Sequence, residues 1–231
     1  VTVLDTGYQY AAINGSDDFF YKPDENGQIT LKNFWEFNHQ QMDDFWSVTE
    51  NPGHLRLHSA KLSPTLFQAY NTLTQRTVGP KCAAEVTLRF AHMKNGDVAG
   101  ISTFIGNYGF TGVKKENDQF YLIMMGRPAK DTTVFGQFEY ENPGIEYQRV
   151  PIIDTSVCLR AEADFTDKKD LASFFYKNRE GWQKLGIDQP MYFKMDLFTG
   201  CRFGLFYYST KQTGGFVDFS KFQFFEPKEE G

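Results

Sequence analysis

Hydrophobic and polar residues alternate with a period of two along most of this chain, in short runs that end at Gly, Asn, Asp or Pro. In residues 54–60, Leu55 and Leu57 fall on one side of the run and the polar side chains fall on the other. Residues 84–90 and 157–165 show the same alternation. This period is typical of β-strands with one buried face, whereas an amphipathic helix needs apolar residues spaced by three and four positions. The pattern predicts a nearly all-β chain.

The order of these runs predicts antiparallel pairing. Three of them follow one another through residues 98–126 with short breaks, which predicts a meander. Residues 173–186 have the pattern of a hairpin with a polar turn, so Tyr176 and Trp182 are expected to lie close together across it. The glycine pair at 214–215 is expected to form the turn between the last two strands. Roughly ten short strands without helices predict a two-sheet antiparallel β-sandwich.

The length of 231 residues fits one large domain. We assign residues 16–228 to a single sandwich domain and residues 1–15 to a linker or leading strand. No apolar run reaches the roughly 18 residues of a membrane span, and residues 1–20 lack the features of a signal peptide. Because the chain starts at Val1, we expect it to be a processed product or an excised fragment.

Charge and aromatic content narrow the range of partners. The 24 basic and 29 acidic side chains give a formal net charge of −5 without a basic block, which argues against a nucleic-acid partner. Aromatic residues make up 17% of the chain. Flat rings suit a sugar-binding surface, but for any single ring the wide core of a sandwich is the favoured interpretation.

The candidate catalytic and metal-binding residues form no strong motif. Cys82, Cys158 and Cys201 are too scattered for a disulfide framework or a structural zinc site. The four His residues accompany no recognisable nucleophile motif. The acidic pairs Asp17-Asp18 and Asp43-Asp44 lack the spacing of an EF-hand loop and are interpreted as solvated turn charges. A structural Ca²⁺ held by Asp18 and Asp218 stays open beside the alternative that Asp218 faces solvent, and no motif requires a cofactor.

Several strings together resemble one known domain family. In the opening stretch, residues 31–48, the matching residues are Trp35, Asn38, His39 and Trp46. Matching strings continue at residues 52–57, 66–82, 96–101, 108–115 and 198–222, with NTLTQR and TKQTGG among the most specific. They resemble successive strands of the C-terminal β-sandwich of family 43 glycoside hydrolases, the β-xylosidases and arabinofuranosidases. The resemblance covers roughly residues 16–225.

The resemblance implies a concanavalin-A-like jelly roll that is also classed as a carbohydrate-binding module for xylan. In that family a separate β-propeller carries the two catalytic carboxylates, so the resemblance implies that this chain is not itself an enzyme. It also implies a loop aromatic that reaches the catalytic domain, and Phe198 is the matching residue. Two departures, Tyr70 where the family usually has Arg and Phe37 where it has Trp, fall where a sugar is expected to bind.

The predicted carbohydrate-binding residues come from the resemblance and from strand alternation. Trp35, Asn38 and His39 are expected to form a loop platform, although a packed Trp beside a satisfied Asn-His turn is an equally open interpretation. Alternation from residue 67 onward places four further side chains on one polar face. One face of the strand at 202–210 must also point away from the core, and alternation alone does not decide which. The remaining predicted residues are Gln68, Tyr70, Thr72, Arg76, Arg202 and Tyr208.

Three functional hypotheses follow. The first is a non-catalytic module for xylan or arabinoxylan, accessory to a family 43-type catalytic domain and secreted or periplasmic because its polymer is a plant cell-wall component. The second is a structural docking domain that shapes a hydrolase active site without sugar affinity of its own. The third is a jelly-roll polysaccharide lyase, based on the YFK string at residues 192–194, although the rest of the lyase motif is missing.

Overall fold

The computed structural model describes residues 7, 11–39, 41–127, 142–191 and 200–226. Over these ranges the chain forms β-strands and three short 3₁₀ helices, Asp43–Phe45, Leu66–Gln68 and Thr166–Lys168. The strands are β1 (Glu36–Phe37), β2 (Trp46–Ser47), β3 (Leu55–His58), β4 (Leu73–Arg76), β5 (Lys81–Arg89), β6 (Asp97–Phe104), β7 (Gly109–Glu116), β8 (Gln119–Gly126), β9 (Ile145–Ile152), β10 (Ser156–Asp164), β11 (Leu171–Asn178), β12 (Gly181–Lys184), β13 (Gln189–Pro190), β14 (Arg202–Ser209) and β15 (Phe216–Phe225).

Two sheets contain these strands. One sheet has seven strands in the order β1-β4-β14-β6-β7-β8-β9. The other has eight, in the order β12-β11-β10-β5-β15-β3-β2, with β13 paired to β11. Every pairing between named strands is antiparallel. The predicted all-β, two-sheet antiparallel sandwich is confirmed.

The main hydrophobic core lies between the two sheets, where alternation directs one side chain in two. Leu55 and Leu57 of β3 are fully buried, as the sequence pattern predicts. Val86 and Leu88 of β5 join them, and Leu205 of β14 approaches from the other sheet. No helix in the described part of the chain has the length and apolar character to cross a membrane.

The predicted meander is confirmed, since β6, β7 and β8 are neighbours in the seven-stranded sheet. Gly100 of β6 lies opposite Gly112 of β7. A Cβ atom on Gly100 would lie 2.2 Å from the carbonyl oxygen of Thr111. The two strands therefore approach so closely at this point that only glycine fits.

The hairpin predicted over residues 173–186 is confirmed as β11–β12, but the predicted proximity of its two aromatic residues is wrong. Trp182 lies opposite Lys177, whereas Tyr176 lies opposite Gln183. Consecutive residues of a strand point to opposite faces, so Tyr176 and Trp182 lie on different faces of the sheet. Tyr176 packs against the core, and Trp182 lies on the outer face beneath the Arg160 guanidinium.

The last two strands belong to different sheets, so the glycine pair at 214–215 carries the chain across the sandwich instead of closing a hairpin. Gly214 has a φ of +87°. A Cβ atom on Gly215 would lie 2.4 Å from the Tyr207 hydroxyl and 2.7 Å from Asp97 Oδ2. Glycine is needed here because the crossing segment passes directly over a buried polar cluster.

Asp97 is the centre of that cluster and is fully buried. Its carboxylate accepts hydrogen bonds from the Lys94 backbone N–H (2.6 Å), the Tyr207 hydroxyl (2.6 Å) and the Ser209 hydroxyl (2.5 Å). Burial raises the pKa of the Asp97 carboxyl above its ordinary value, although these donors act in the opposite direction. The cluster thus joins β6 to β14 through a carboxylate whose charged form is destabilised by burial.

We expect the Asp97→Asn variant to gain stability relative to the wild type as the pH rises from about 4.5 to about 7. Because the folded pKa lies above the unfolded value, the stabilisation from Asp97 is present at low pH and is lost as the pH rises through the folded pKa. Urea denaturation of both proteins across this range measures the difference. Asp97→Ala, which leaves three donors unpaired, should be less stable at every pH, and a pH-independent difference for Asp97→Asn would contradict the argument.

Candidate functional site

The structure places Trp35 in the core, which corrects its predicted role in a sugar-binding platform. The residue is only 7% exposed. Its ring packs against Phe19, with centroids 6.0 Å apart, and meets Phe222 edge-on at 4.8 Å. Its indole N–H donates to Asp17 Oδ2 at 2.7 Å. With its neighbours packed on the ring and its N–H bonded, Trp35 offers no face to a ligand.

Asp17 explains why this part of the chain folds around Trp35. The residue is 2% exposed and also accepts from the Phe19 backbone N–H (2.9 Å) and the Tyr21 hydroxyl, while Lys32 Nζ lies 3.0 Å from it. Burial, followed by the hydrogen bond to Asp17, raises the pKa of Tyr21 well above its ordinary value. The interpretation of the acidic pairs as solvated turn charges is therefore wrong for Asp17.

The predicted polar face over residues 68–76 does not exist as one surface. The 3₁₀ helix Leu66–Gln68 interrupts the alternation, and β4 begins only at Leu73. Thr72 is fully buried and its hydroxyl donates to the Ala69 carbonyl oxygen at 3.2 Å. Arg76 lies at the exposed end of β4, 3.8 Å from Glu36. Gln68 and Tyr70 alone remain together at the surface, both half-buried.

Arg202 and Tyr208 are also not available in the predicted way. Arg202 donates to Glu36 Oε2 at 2.6 Å, so this carboxylate neutralises it. Tyr208 is fully buried, and burial raises the pKa of its hydroxyl well above the ordinary value. Leu205 and Tyr207 face the inter-sheet core, so Tyr208 is on the set that points away from it. Other side chains cover this outward-facing set. The alternation within one strand cannot predict such a cover.

The covering side chains form a second aromatic cluster on the outer face of the seven-stranded sheet. The segment around the 3₁₀ helix Leu66–Gln68 packs over it, and Phe67 meets Tyr108 edge-on with centroids 5.0 Å apart. The buried members are Leu66, Ala69, Val98, Phe104, Tyr108, Phe110, Ile123, Met125, Phe206 and Tyr208. Much of the aromatic excess of the chain therefore serves packing.

A surface cleft of about 580 Å³ opens beside this segment, and we call it the His39–Tyr70 cleft. It contains three of the predicted binding residues, His39, Gln68 and Tyr70. The centroids of the His39 and Tyr70 rings are 6.2 Å apart. The full lining consists of His39, Gln41, Met42, Lys61, Phe67, Gln68 and Tyr70.

Two polar residues hold the walls of the cleft together. Asn71 adopts a left-handed backbone conformation with a φ of 56°, which Asn tolerates better than most residues. Its side chain accepts from the Met42 N–H at 2.8 Å and donates to the Met42 carbonyl oxygen at 3.0 Å. The Asn38 backbone N–H donates to the Thr72 carbonyl oxygen at 3.0 Å. Asn38 thus contributes a backbone hydrogen bond here. Asn71, the first residue of the NTLTQR string, links its own segment to the Met42 backbone.

The cleft contains aromatic, amide and ammonium groups. His39 Nε2 lies 2.5 Å from the Phe67 carbonyl oxygen and must donate to it, because a carbonyl only accepts. Lys61 Nζ lies 4.2 Å from the centroid of the Tyr70 ring. Glycoside hydrolysis requires two carboxyl groups, and the lining residues include none. Rings, amides and one ammonium group are suited to holding a sugar.

The structure does not support the calcium site expected at Asp18 and Asp218. Asp218 is buried, and both of its oxygens accept from Arg56, at 2.7 and 2.8 Å, while Asn51 adds a third bond at 2.9 Å. A guanidinium group bound in this way opposes a second cation. Asp18 is exposed and caps the Phe20 N–H. Among the described residues, no group of three or more His, Cys, Asp or Glu side chains is arranged to hold a metal ion.

Phe198, the predicted contact to a catalytic domain, lies outside the described residues, as does the YFK string at 192–194.

A family model decides the relationship of this chain to known proteins. The model of the "beta xylosidase C-terminal concanavalin A-like domain" matches residues 24–225. This range contains strands β1 to β15 and every residue that lines the cleft. The chain belongs to this family. The predicted resemblance and the predicted concanavalin-A-like fold are confirmed. Members of this domain family form the non-catalytic C-terminal part of family 43 glycoside hydrolases.

Three relatives show how the β-xylosidase C-terminal domain occurs in longer proteins. A "beta-xylosidase" of Formosa agariphila is 27% identical, over 94% of this chain and 36% of its own length. The solved structure of a "bifunctional GH43-CE" protein of Bacteroides eggerthii is 34% identical, with a TM-score of 0.79 over 93% of this chain and 26% of that one. The solved structure of a GH43 glycoside hydrolase, engineered to display both endo-xylanase and exo-arabinofuranosidase activity, is 27% identical. Its TM-score is 0.82, over 97% of this chain and 43% of that one. The chain thus spans less than half the length of each.

Proposed function

We propose that this chain is the accessory domain of a family 43-type glycoside hydrolase and that it binds xylan or arabinoxylan in the His39–Tyr70 cleft. The observation that carries the proposal is the combination of the Phe67, Tyr70 and His39 rings with the Gln41 and Gln68 amides in one open cleft. The xylan-related names of the relatives support the choice of polymer. A plant polymer as ligand also supports a secreted or periplasmic location.

The lining matches the two surfaces of a pyranose ring. The C–H face of a sugar is apolar and packs on an aromatic ring, whereas its rim of hydroxyl groups needs hydrogen-bond partners. Tyr70 and Phe67 offer the first kind of contact, and Gln41 and Gln68 are placed for the second. Asn71 fixes the two walls before a ligand arrives, which lowers the entropic cost of binding.

We expect Tyr70→Ala to weaken binding of a xylan hexasaccharide by about tenfold or more, since the loss of one stacked ring removes roughly 1.4 kcal/mol or more. Isothermal titration calorimetry with hexasaccharides of xylan and arabinoxylan measures the change. Trp182→Ala is the matched control, because Trp182 is a half-buried aromatic residue on the outer face of the eight-stranded sheet. It should leave the affinity unchanged. Unchanged binding by Tyr70→Ala would place the ligand elsewhere.

A docking role is the second candidate. The chain spans 26–43% of the length of its relatives, so the family occurs beside other sequence that this domain can contact. This role predicts that the wild-type chain binds none of the oligosaccharides. The same titration therefore separates the two candidates.

A further inference from the structure

The His39–Tyr70 cleft carries positive charge that no carboxylate of its lining balances. The chain as a whole has a formal net charge of −5, yet the lining residues include Lys61 and no Asp or Glu. No described carboxylate lies within ion-pair distance of Lys61 Nζ, which packs on the Tyr70 ring. An exposed lysine in this position can pair with an anionic ligand without first breaking an ion pair.

A second cation lies next to the same segment. The Arg127 guanidinium carbon is 4.8 Å from the centroid of the Phe67 ring. Its Nη1 is buried and has no hydrogen-bond partner within the described residues. Arg127 does not line the cleft and its Nη1 is enclosed, so it adds positive charge beside Phe67 without a direct contact to a ligand in the cleft.

The acidic residues near the cleft lie outside its lining. Asp43 keeps its negative charge and accepts from Gln41 Nε2 at 2.6 Å and from Trp46 Nε1 at 3.4 Å, and it forms no ion pair with Lys61. Asp44 belongs to the same 3₁₀ helix and does not line the cleft. Glu36 is shared between two arginines on β4 and β14.

We infer that the His39–Tyr70 cleft prefers xylan chains that carry a uronate substituent, an inference that rests on the proposed function. A uronate sugar presents an apolar ring face and a carboxylate within one residue. This pairing matches an aromatic ring whose centroid lies 4.2 Å from an ammonium group. The carboxylate would pair with Lys61, and the Arg127 guanidinium beside Phe67 adds a second positive charge nearby.

The test compares three oligosaccharides of equal backbone length by calorimetry: neutral xylan, xylan with one glucuronate branch, and galacturonate oligomer. The wild type should bind the branched oligosaccharide about fivefold more tightly than the neutral one at low salt, as one exposed ion pair allows. The preference should fall below about twofold in 0.5 M NaCl because salt screens the charges. The galacturonate oligomer should bind most weakly, since it lacks the xylan backbone.

The ratio of the two xylan dissociation constants identifies the residue responsible. Lys61→Gln should bring this ratio close to one, and Arg127→Gln should lower it. Lys221→Gln, which removes an exposed charge from β15 in the other sheet, should keep the wild-type ratio. Equal binding of both xylans by the wild type overturns the inference while the proposed function stands. Tightest binding of galacturonate, or binding of none of the three, overturns both.

Discussion

Replacing Trp35 by alanine should lower the free energy of unfolding by about 4 kcal/mol, the usual scale for removing a buried tryptophan. The ring fills space between Phe19 and Phe222, and its loss also leaves a buried oxygen of Asp17 without its indole donor. Urea denaturation at neutral pH measures the change. Asp17→Ala should also be strongly destabilising, because it leaves the Trp35 N–H and the Phe19 N–H without an acceptor.

The control for this prediction is Trp182→Ala, which removes the same side chain from the outer face of the eight-stranded sheet and should cost about 1 kcal/mol. A measurement of sugar affinity distinguishes a structural role of Trp35 from a role in binding. At a temperature where Trp35→Ala remains folded, its affinity for xylan oligosaccharides should equal that of the wild type. A stable Trp35→Ala protein that no longer binds sugar would restore Trp35 to the binding site.

The strands could be predicted from the sequence because burial of one face imposes a period of two on each of them. β3, β5 and β10 follow this rule. Alternation does not tell which sheet a strand joins. The glycine pair at 214–215 therefore looks like a hairpin turn, although β14 and β15 lie in opposite sheets.

The residues that line the cleft were harder to predict because the chain leaves strand geometry where the cleft forms. The 3₁₀ helix Leu66–Gln68 rotates the side chains that follow, so Tyr70 reaches the surface and Thr72 is buried. Composition gives no sign of this turn. Gln41 and Met42 closely follow the predicted residue His39, but no local motif marks them or Lys61 as lining residues.

The strings that carry the family resemblance largely serve the framework. Trp35 is bonded to Asp17, and Asn71 braces the Met42 backbone. The Gln75 side chain exchanges two hydrogen bonds with the Gly15 backbone, at 2.9 and 3.0 Å. These buried polar contacts need particular side chains at particular positions.

Replacing Arg56 by leucine should lower the free energy of unfolding by about 3 kcal/mol at neutral pH, because it leaves the buried Asp218 carboxylate with Asn51 as its remaining partner. Burial by itself raises the pKa of Asp218, but the hydrogen bonds from Arg56 and Asn51 outweigh it, and the folded pKa lies below the ordinary value. The stabilisation is therefore present above about pH 4 and is lost as the pH falls through the folded pKa.

The Arg56→Leu variant loses the hydrogen bonds that do most to lower the pKa of Asp218, so burial should raise this pKa above its ordinary value. The pH dependence that Asp218 gives to the stability should then reverse sign. The difference between wild type and variant should be largest near pH 7 and should shrink toward about pH 4. The double variant Arg56→Leu/Asp218→Leu should recover most of the lost stability, since no buried charge remains. A difference that does not change with pH would mean that Asp218 is hydrated in the variant. Recovery of the single variant by added Ca²⁺, but not by Mg²⁺, would return Asp218 to the role of a metal ligand.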